Sequence, residues 1–128
     1  MSEMSDPSEP SHPVLVDARR QFQRYFANPS WPFSLPMHVR GSDFQCRVWK
    51  AMGEIPLGSA WTYAQLARRV GSSPRAVANA CRANALPILI PCHRIVATRG
   101  IGGYGGEISG PMIEIKRWLL RHEGYGAA

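Results

Sequence analysis

The sequence lacks any long run of apolar residues, and this absence excludes a first broad class of protein. No stretch approaches the ~18 uncharged apolar residues that a transmembrane helix needs. Residues 1–13 have neither the basic start nor the apolar centre of a secretory signal peptide. Because they are polar, acidic and rich in proline, we predict that residues 1–13 form a disordered tail. We expect no membrane partner.

Cysteine is scarce, with Cys46, Cys81 and Cys92 among 128 residues. An odd, widely spaced set does not build a disulfide framework, so we expect a reducing cytoplasm, with nucleoid association if the protein is bacterial. There is no Cys-x-x-Cys pair, no paired histidine spacing, and no Lys-Ser or Lys-Thr after the glycine run, so we expect no metal and no cofactor. Cys46 and Cys81 lie on helical stripes and are expected to be small buried apolar side chains.

Acidic residues are absent from residues 55–106, and six arginines lie there. Three acids and no basic residue fall within residues 1–10, so the rest of the chain carries a net charge of +9, against +6 for the whole. A field of one sign over such a stretch attracts polyanions, of which nucleic acid is the commonest. Charge alone leaves a generically basic protein as an equal alternative.

Apolar residues at helical spacing predict a mainly α fold. We assign residues 14–42 to an N-terminal helix, ended by Asn28-Pro29, and a connector. Residues 43–125 are assigned to one domain, with helices that begin near residues 42, 62, 74 and 111. A short β element is expected over residues 94–97, next to Cys92. Tryptophans at positions 49, 61 and 118 are expected in the core.

Two of these helices form a helix-turn-helix pattern. Gly71 suits the end of the first helix, Ser73 is a good N-cap, and Pro74 fits a first helical position. The second helix would be the recognition helix, with Arg75 at its start and Arg82 two turns further on. We therefore predict a winged helix-turn-helix-like domain.

The segment Pro91-Cys92-His93-Arg94 carries the sharpest chemical signal. A thiol is a useful nucleophile only as the thiolate. Arg94 and its basic surroundings would favour the anion, and His93 could act as a base, directly or through water. His122 and Glu123 offer a second acid–base pair. Spacing alone leaves open a purely structural Cys–His pair.

Longer motifs narrow this choice. The segment Ile88–Arg94 resembles the active-site motif of O6-alkylguanine-DNA alkyltransferases, the methylated-DNA–protein-cysteine methyltransferases. The resemblance runs from Phe44 to Gly124 and includes Phe44-Gln45-x-x-Val48-Trp49, Ile55-Pro56-x-Gly58, Thr62-Tyr63-x-x-Leu66-Ala67, Arg82-x-Asn84, Gly103-Tyr104 and Lys116-x-Trp118-Leu119-Leu120-x-His122-Glu123-Gly124. It implies direct repair of double-stranded DNA that contains O6-alkylguanine, by irreversible transfer of the alkyl group to the protein.

The resemblance also implies a role for each matched residue. Cys92 is similar to the alkyl acceptor, His93 to the histidine that activates it through water, and Glu123 to the carboxylate that polarises this histidine. Asn84 resembles the asparagine that braces the active-site turn. The DNA-binding set would be Arg75, which replaces the extruded nucleotide, with Tyr63, Arg82 and Ala76. Tyr63 would also hydrogen-bond the guanine. The base pocket would comprise Pro87, Ile95, Tyr104 and Gly105.

The chain departs from the family pattern in two places. Family members usually carry an N-terminal domain of RNase H-like shape, of which residues 14–42 resemble only the last helix and connector. The segment from Gly105 to Ile115 is a few residues longer than usual, so the pocket lid and its alkyl preference are open.

Three candidate functions are consistent with the sequence, and we expect the protein to be a monomer. The first is the single-turnover transferase. The second is an alkyltransferase-like sensor that binds the lesion without chemistry and recruits excision-repair proteins, a class in which the cysteine is usually replaced. The third is a winged-helix regulator whose Cys92 senses alkylation or oxidation, although no added regulatory segment is visible in the sequence.

Overall fold

Helices are the main secondary structure in the computed structural model, which describes residues 12–35 and 39–126. The described residues fall into two units, 12–35 and 39–126. The first contains α1 (Pro13–Ala27). The second contains α2 (Asp43–Met52), β1 (Trp61–Thr62), α3 (Tyr63–Val70), α4 (Pro74–Arg82), a 3₁₀ helix (Cys92–Arg94), β2 (Ile95–Val96) and α5 (Pro111–His122). The expectation of a mainly α fold is confirmed.

None of the helices in the described ranges is long and apolar enough to cross a membrane.

The first unit consists of α1 and the segment that follows it. His12 caps the helix, because its Nδ1 accepts a hydrogen bond from Val14 N at 3.1 Å, and Asn28 ends it as expected. Gln21 is buried and its Oε1 accepts a hydrogen bond from Ser34 N at 2.8 Å. The chain therefore returns along the helix after Asn28. Residues 1–11 of the predicted tail lie outside the described residues.

Paired side-chain and backbone hydrogen bonds fix where α2 and α3 begin. Ser42 Oγ accepts from Gln45 N, and Gln45 Oε1 accepts from Ser42 N. Thr62 and Gln65 make the same reciprocal pair at the start of α3. Such capping boxes satisfy backbone donors that have no partner inside the helix. The predicted starts near residues 42 and 62 are confirmed.

The predicted helix-turn-helix is formed by α3 and α4. Gly71 ends α3 in the left-handed region (φ 70°), where a Cβ would add strain, and Ser73 Oγ caps α4 at Ala76 N. α2 packs against both helices, and Trp49 Nε1 donates a 2.8 Å hydrogen bond to Ala80 O. Trp49 thus joins α2 to the recognition helix from inside the core, as expected.

The expectation that Trp118 is a core residue is wrong. Its side chain is 50% exposed and stacks on the ring of His122, with ring centroids 4.6 Å apart. The buried face of α5 is carried by Ile113, Lys116, Leu119, Leu120 and Glu123. Residue 118 lies off this stripe because helical neighbours on one face are three, four or seven residues apart. Cys46 and Cys81 are only half-buried.

The expected strand after Cys92 is present, and it has a partner that the sequence did not indicate. β2 pairs in parallel with β1, in the register Trp61↔Ile95 and Thr62↔Val96. Since β1 leads directly into α3, this pairing sets the start of the helix-turn-helix beside the segment that follows Cys92.

Candidate active site

Cys92 borders a cavity of about 170 Å³. The walls come from the start of α3, the inner side of α4 and the glycine-rich segment before α5: Tyr63, Ala78, Cys81, Arg82, Gly103, Tyr104, Gly105, Gly106, Glu107 and Ile108. A single water needs only about 10–15 Å³ by this measure, so the cavity accommodates a larger guest. Cys92 is half-buried at its wall.

Asn84 holds the turn that leads to Cys92. Its Nδ2 donates to Ile90 O at 2.9 Å and to Cys92 Sγ at 3.2 Å, and its Oδ1 accepts from Leu86 N at 2.9 Å. Between these contacts Ile88 adopts φ 75°, a conformation that a β-branched residue rarely takes. One amide side chain therefore supports the backbone of the active-site turn and also contacts the sulfur.

His93 and Glu123 form a buried pair beside the cysteine. His93 Nε2 lies 2.9 Å from Glu123 Oε2, and both side chains are almost completely inaccessible to solvent. Burial lowers the pKa of His93, although Glu123 acts in the opposite direction. We therefore treat His93 as a neutral imidazole that donates Nε2–H to Glu123 and keeps Nδ1 as an acceptor. Nδ1 is buried and has no hydrogen-bond partner among the described residues.

Arg94 does not act where the sequence suggested. Its Nε and Nη2 donate to the two carboxylate oxygens of Glu123 at 2.8 and 3.0 Å, and its Nη1 donates to Ile55 O at 2.9 Å. The expectation that Arg94 stabilises a Cys92 thiolate is wrong. The guanidinium is instead a fixed partner of the carboxylate that orients His93.

The surroundings of Cys92 do not favour a permanent thiolate. Burial raises the pKa of Cys92, and the Asn84 hydrogen bond and the charge of Lys116 only partly offset this effect. The thiol is therefore mostly protonated near neutral pH. A base is needed when it reacts, and the imidazole of the next residue is a candidate.

The sequence interpretation missed Lys116, which is 0% exposed and lies on the buried face of α5. Its Nζ donates to Ile95 O at 2.6 Å and to Gly103 O at 2.8 Å. A lysine on an otherwise apolar helical stripe was the available signal, because lysines are almost never fully buried without partners.

Two of the four residues expected to form a base pocket line this cavity. Tyr104 and Gly105 line it: Tyr104 exchanges two backbone hydrogen bonds of 2.9 Å with Glu107, and Gly105 and Gly106 form the turn at positive φ. This cavity hairpin, residues 103–108, is one wall. Pro87 and Ile95 do not line the cavity; Pro87 is exposed elsewhere, and Ile95 is buried in the core.

The residues expected to bind DNA lie on or near α4. Arg75 is exposed at the second position of the helix, and Ala76 is half-buried at the third. Arg82 is exposed at the cavity wall, where its side chain lies about 3.8 Å from the position of a Cβ on Gly106. Tyr63 also borders the cavity, and burial raises its pKa. The expected His122–Glu123 pair does not serve Cys92, since Glu123 pairs with His93.

No group of three or more histidine, cysteine or acidic side chains within residues 12–35 and 39–126 is arranged to hold a metal ion.

Fold and site together define a helix-turn-helix protein with a cysteine at the wall of a cavity beside the second helix of that motif. Residues 43–125 match the family model of the 6-O-methylguanine DNA methyltransferase DNA-binding domain. The constitutive methylated-DNA–protein-cysteine methyltransferase of Bacillus subtilis is 42% identical over 114 residues, covering 87% of this chain and 67% of that protein. The chain belongs to the methylated-DNA–protein-cysteine methyltransferase family.

Solved structures agree with this assignment. Mycobacterium tuberculosis OGT in complex with DNA superposes with a TM-score of 0.75 at 39% identity, over 84% of this chain and 65% of that one. Schizosaccharomyces pombe Atl1 with DNA containing O6-carboxymethylguanine gives a TM-score of 0.52 at 30% identity, over 67% of this chain and 80% of that one. This chain thus spans about two thirds of the length of the Bacillus and Mycobacterium proteins.

Proposed function

We propose that this protein repairs double-stranded DNA by moving an alkyl group from O6 of guanine to Cys92 Sγ, once per molecule. The observation that carries the proposal is the set of groups around Cys92, which borders the cavity: the Asn84 amide lies 3.2 Å from its sulfur, and the next residue, His93, forms a buried pair with Glu123. Displacement by a thiol needs a nucleophile, a hydrogen-bond donor that stabilises the charge on the sulfur, and an oriented base.

Access to the cavity requires that the base leave the duplex. An O6-alkyl carbon inside a base stack cannot be approached in line by a sulfur at the wall of a cavity, so the nucleotide must be flipped out. The cavity lies against the inner side of α4, and Arg75 is exposed at the start of that helix. We assign Arg75 the role of filling the gap in the stack. We propose that the helix-turn-helix docks in the minor groove. This suits a protein that acts at any sequence, because the hydrogen-bonding pattern of the bases in that groove is largely degenerate.

The transfer is a single displacement. A bond forms between Sγ and the alkyl carbon while the bond from that carbon to O6 breaks. The thiol proton passes through a water to Nδ1 of His93. Throughout this step the Nε2–H of His93 keeps its hydrogen bond to Glu123. Guanine leaves with its negative charge stabilised by a hydrogen bond from Tyr63, and it regains a proton on release. The thioether has no route back, so the protein is used up.

Relatives support the same activity. The Bacillus protein is named for transfer from methylated DNA to a protein cysteine, and the Mycobacterium protein was solved on DNA. Three free cysteines suit a reducing cytoplasm. We propose action there as a monomer, on the nucleoid if the cell is bacterial.

The test is the mass of the intact protein after incubation with a duplex that contains O6-methylguanine. We expect a gain of one CH₂, located on Cys92 by peptide mapping and absent in Cys92→Ser, with DNA binding retained. Trypsin cleaves after Arg47, Arg82 and Arg94, so the three cysteines fall in separate peptides. An unchanged mass together with tight lesion binding would overturn the transferase proposal and select the lesion sensor.

A further inference from the structure

We propose that Glu107 is a specificity-determining residue of the cavity, which disfavours O6-alkyl groups that carry a negative charge relative to neutral groups of the same size. The proposal rests on the proposed function, because the charge of an O6-alkyl group matters only if that group is delivered to Cys92. The substrates would then be O6-alkylguanines whose alkyl groups are neutral or cationic.

The cavity hairpin holds the backbone of Glu107 in a defined place. Tyr104 N donates to Glu107 O and Glu107 N donates to Tyr104 O, both at 2.9 Å, so the two residues are directly opposed. Gly105 and Gly106 connect them with φ 59° and 82°, and a two-residue type I′ turn requires positive φ at both of these positions. The turn packs against the start of α5, since Met112 Cε lies 2.6 Å from the position of a Cβ on Gly105. Glu107 is therefore fixed by its partner residue and by the turn.

The same pairing determines the direction of the Glu107 side chain. Directly opposed residues of an antiparallel pair project their side chains from the same face. Tyr104 is buried and lines the cavity, and Glu107 lines the cavity as well but is exposed. The carboxylate of Glu107 therefore belongs to the cavity face of the hairpin and lies at the mouth, whereas Tyr104 lies deeper.

Within residues 12–35 and 39–126, no cation neutralises this carboxylate. The side chain of Glu107 makes no hydrogen bond and no ion pair with the described residues. Arg82 is the other charged residue that lines the cavity, and its side chain lies 3.8 Å from the position of a Cβ on Gly106 without pairing with Glu107. In the complex with DNA, phosphates compete for the charge of Arg82. Glu107 then remains the uncompensated charge of the cavity mouth.

An acid at this position opposes the attraction of the surrounding chain for DNA. Residues 55–106 contain no acid, and Glu107 is the first one after Glu54. A carboxylate beside the recognition helix repels phosphates and weakens the positive field of that stretch. Residues that work against their surroundings in this way are expected at functional sites. The charge of Glu107 therefore acts on the group that enters the cavity.

The proposed displacement brings the alkyl group beside this wall. Cys92 Sγ, the reacting carbon and O6 lie in line in a single displacement, so the rest of the alkyl group projects sideways from that line. The cavity hairpin bounds this space on one side, and α3 and α4 bound it on the other. A carboxylate on the alkyl group would be repelled by Glu107, and the base that fills the cavity displaces water that would screen the two charges.

The experiment compares two duplexes whose adducts have nearly the same shape and differ in charge. One contains O6-carboxymethylguanine, which is anionic, and the other contains O6-carbamoylmethylguanine, which is neutral. Single-turnover transfer to the full chain is followed by intact mass. The measured quantity is the ratio of the neutral rate to the anionic rate within each protein, so that differences in folding or DNA affinity between variants cancel.

Three variants separate the charge of Glu107 from its size. Glu107→Gln removes the charge at almost constant size, and Glu107→Lys reverses it. Glu114→Gln is the control, because Glu114 is an exposed acid of α5 that does not line the cavity. We expect the ratio to fall about tenfold in Glu107→Gln and further in Glu107→Lys, since like charges at a partly exposed mouth interact moderately. The ratio for Glu114→Gln should equal that of the wild type.

Salt provides a second measurement on the wild-type protein, which does not depend on the folding of any variant. Added salt should lower the wild-type ratio, because exposed charges are screened, and should change the ratio of Glu107→Gln less. Equal ratios in the wild type and Glu107→Gln would overturn the proposal, and so would a wild-type ratio that does not respond to salt.

A third duplex, containing O6-methylguanine, distinguishes failure of this proposal from failure of the proposed function. If the wild type accepts the methyl group and the ratio does not depend on residue 107, only the role of Glu107 is wrong. If the wild type accepts no alkyl group from any of the three duplexes, the proposed function is wrong and the role of Glu107 falls with it.

Discussion

Asn84 offers the most informative single perturbation, because one side chain supports both the active-site turn and the sulfur. Replacement by alanine removes the hydrogen bonds to Ile90 O, Leu86 N and Cys92 Sγ. The first two losses concern the fold, and the third concerns the reaction. The two consequences are measured by different assays, so they can be separated.

The size of each effect follows from the contacts. A half-buried backbone group left without its partner costs about 1–3 kcal/mol, so Asn84→Ala should destabilise the protein by about 2–4 kcal/mol. In a domain of this size that corresponds to a fall in Tm of roughly 10–20 °C. A hydrogen bond to a charged group contributes about 1.5–3 kcal/mol, so transfer should slow by roughly tenfold to a hundredfold in the folded protein.

Asn84→Asp is the matched variant. It keeps an oxygen acceptor for Leu86 N but sets a carboxylate next to the sulfur, which lies 3.2 Å from Nδ2 in the wild type. Repulsion between this carboxylate and the developing thiolate costs roughly 3 kcal/mol at a half-buried site, about a hundredfold in rate.

The assay is single-turnover transfer from an O6-methylguanine duplex, followed by intact mass well below each variant's Tm. Normal transfer by both variants, despite a lowered Tm, would refute the role of Asn84 at the sulfur. A normal Tm for Asn84→Ala would refute its role as a brace.

Three further outcomes are expected. Gly102→Ala should slow transfer more than Gly100→Ala: both glycines have positive φ, but only a Cβ at 102 would meet Tyr63, at 3.2 Å from its ring; equal rates in the two variants would contradict this. The free energy of unfolding, measured in urea, should decline as pH falls below about 6.5, by at most ~1.4 kcal/mol per pH unit from His93 alone. The reason is that the pKa of His93 is lowered in the folded state, so only the unfolded chain takes up the proton. His93→Asn should flatten this slope. Arg75→Ala should slow transfer from duplex DNA at least tenfold with unchanged Tm, whereas reaction with a free O6-alkylguanine base stays at the wild-type rate; an equal loss on both substrates would assign the arginine to the chemistry instead.

Local chemistry explains why the helix boundaries could be predicted from the sequence. Ser42, Thr62 and Ser73 cap helices through contacts within three residues, and Gly71 ends one through its own backbone freedom. Such signals are complete within a few positions of the chain. The parallel pairing of β1 with β2 joins residues more than thirty positions apart, and two-residue strands leave no periodic pattern.

Site residues that belong to a family motif could be predicted from the sequence. The positions of the charged side chains relative to Cys92 could not. Asn84 contacts Cys92 and Glu123 contacts His93, and both pairs join residues that the resemblance named. Arg94 is two residues from Cys92 in sequence, yet it binds Glu123. The cation that lowers the pKa of Cys92 is Lys116, on a helix beyond the glycine-rich segment. Sequence distance therefore indicated the wrong positive charge.

Burial of the thiol is consistent with a protein that reacts only once. A permanently ionised cysteine would be consumed by any small electrophile, since the thiolate is the reactive form. Here burial raises the pKa of Cys92, while the Asn84 hydrogen bond and the charge of Lys116 lower it, and we propose that a neutral His93 takes the proton when the thiol reacts. These groups are most effective when a guest fills the cavity and excludes water, because electrostatic interactions strengthen as the local dielectric constant falls. Selectivity for an extruded base over a small electrophile then follows from the cavity, and enlarging its mouth by shortening the hairpin should raise the iodoacetamide rate at Cys92 while lowering transfer from DNA.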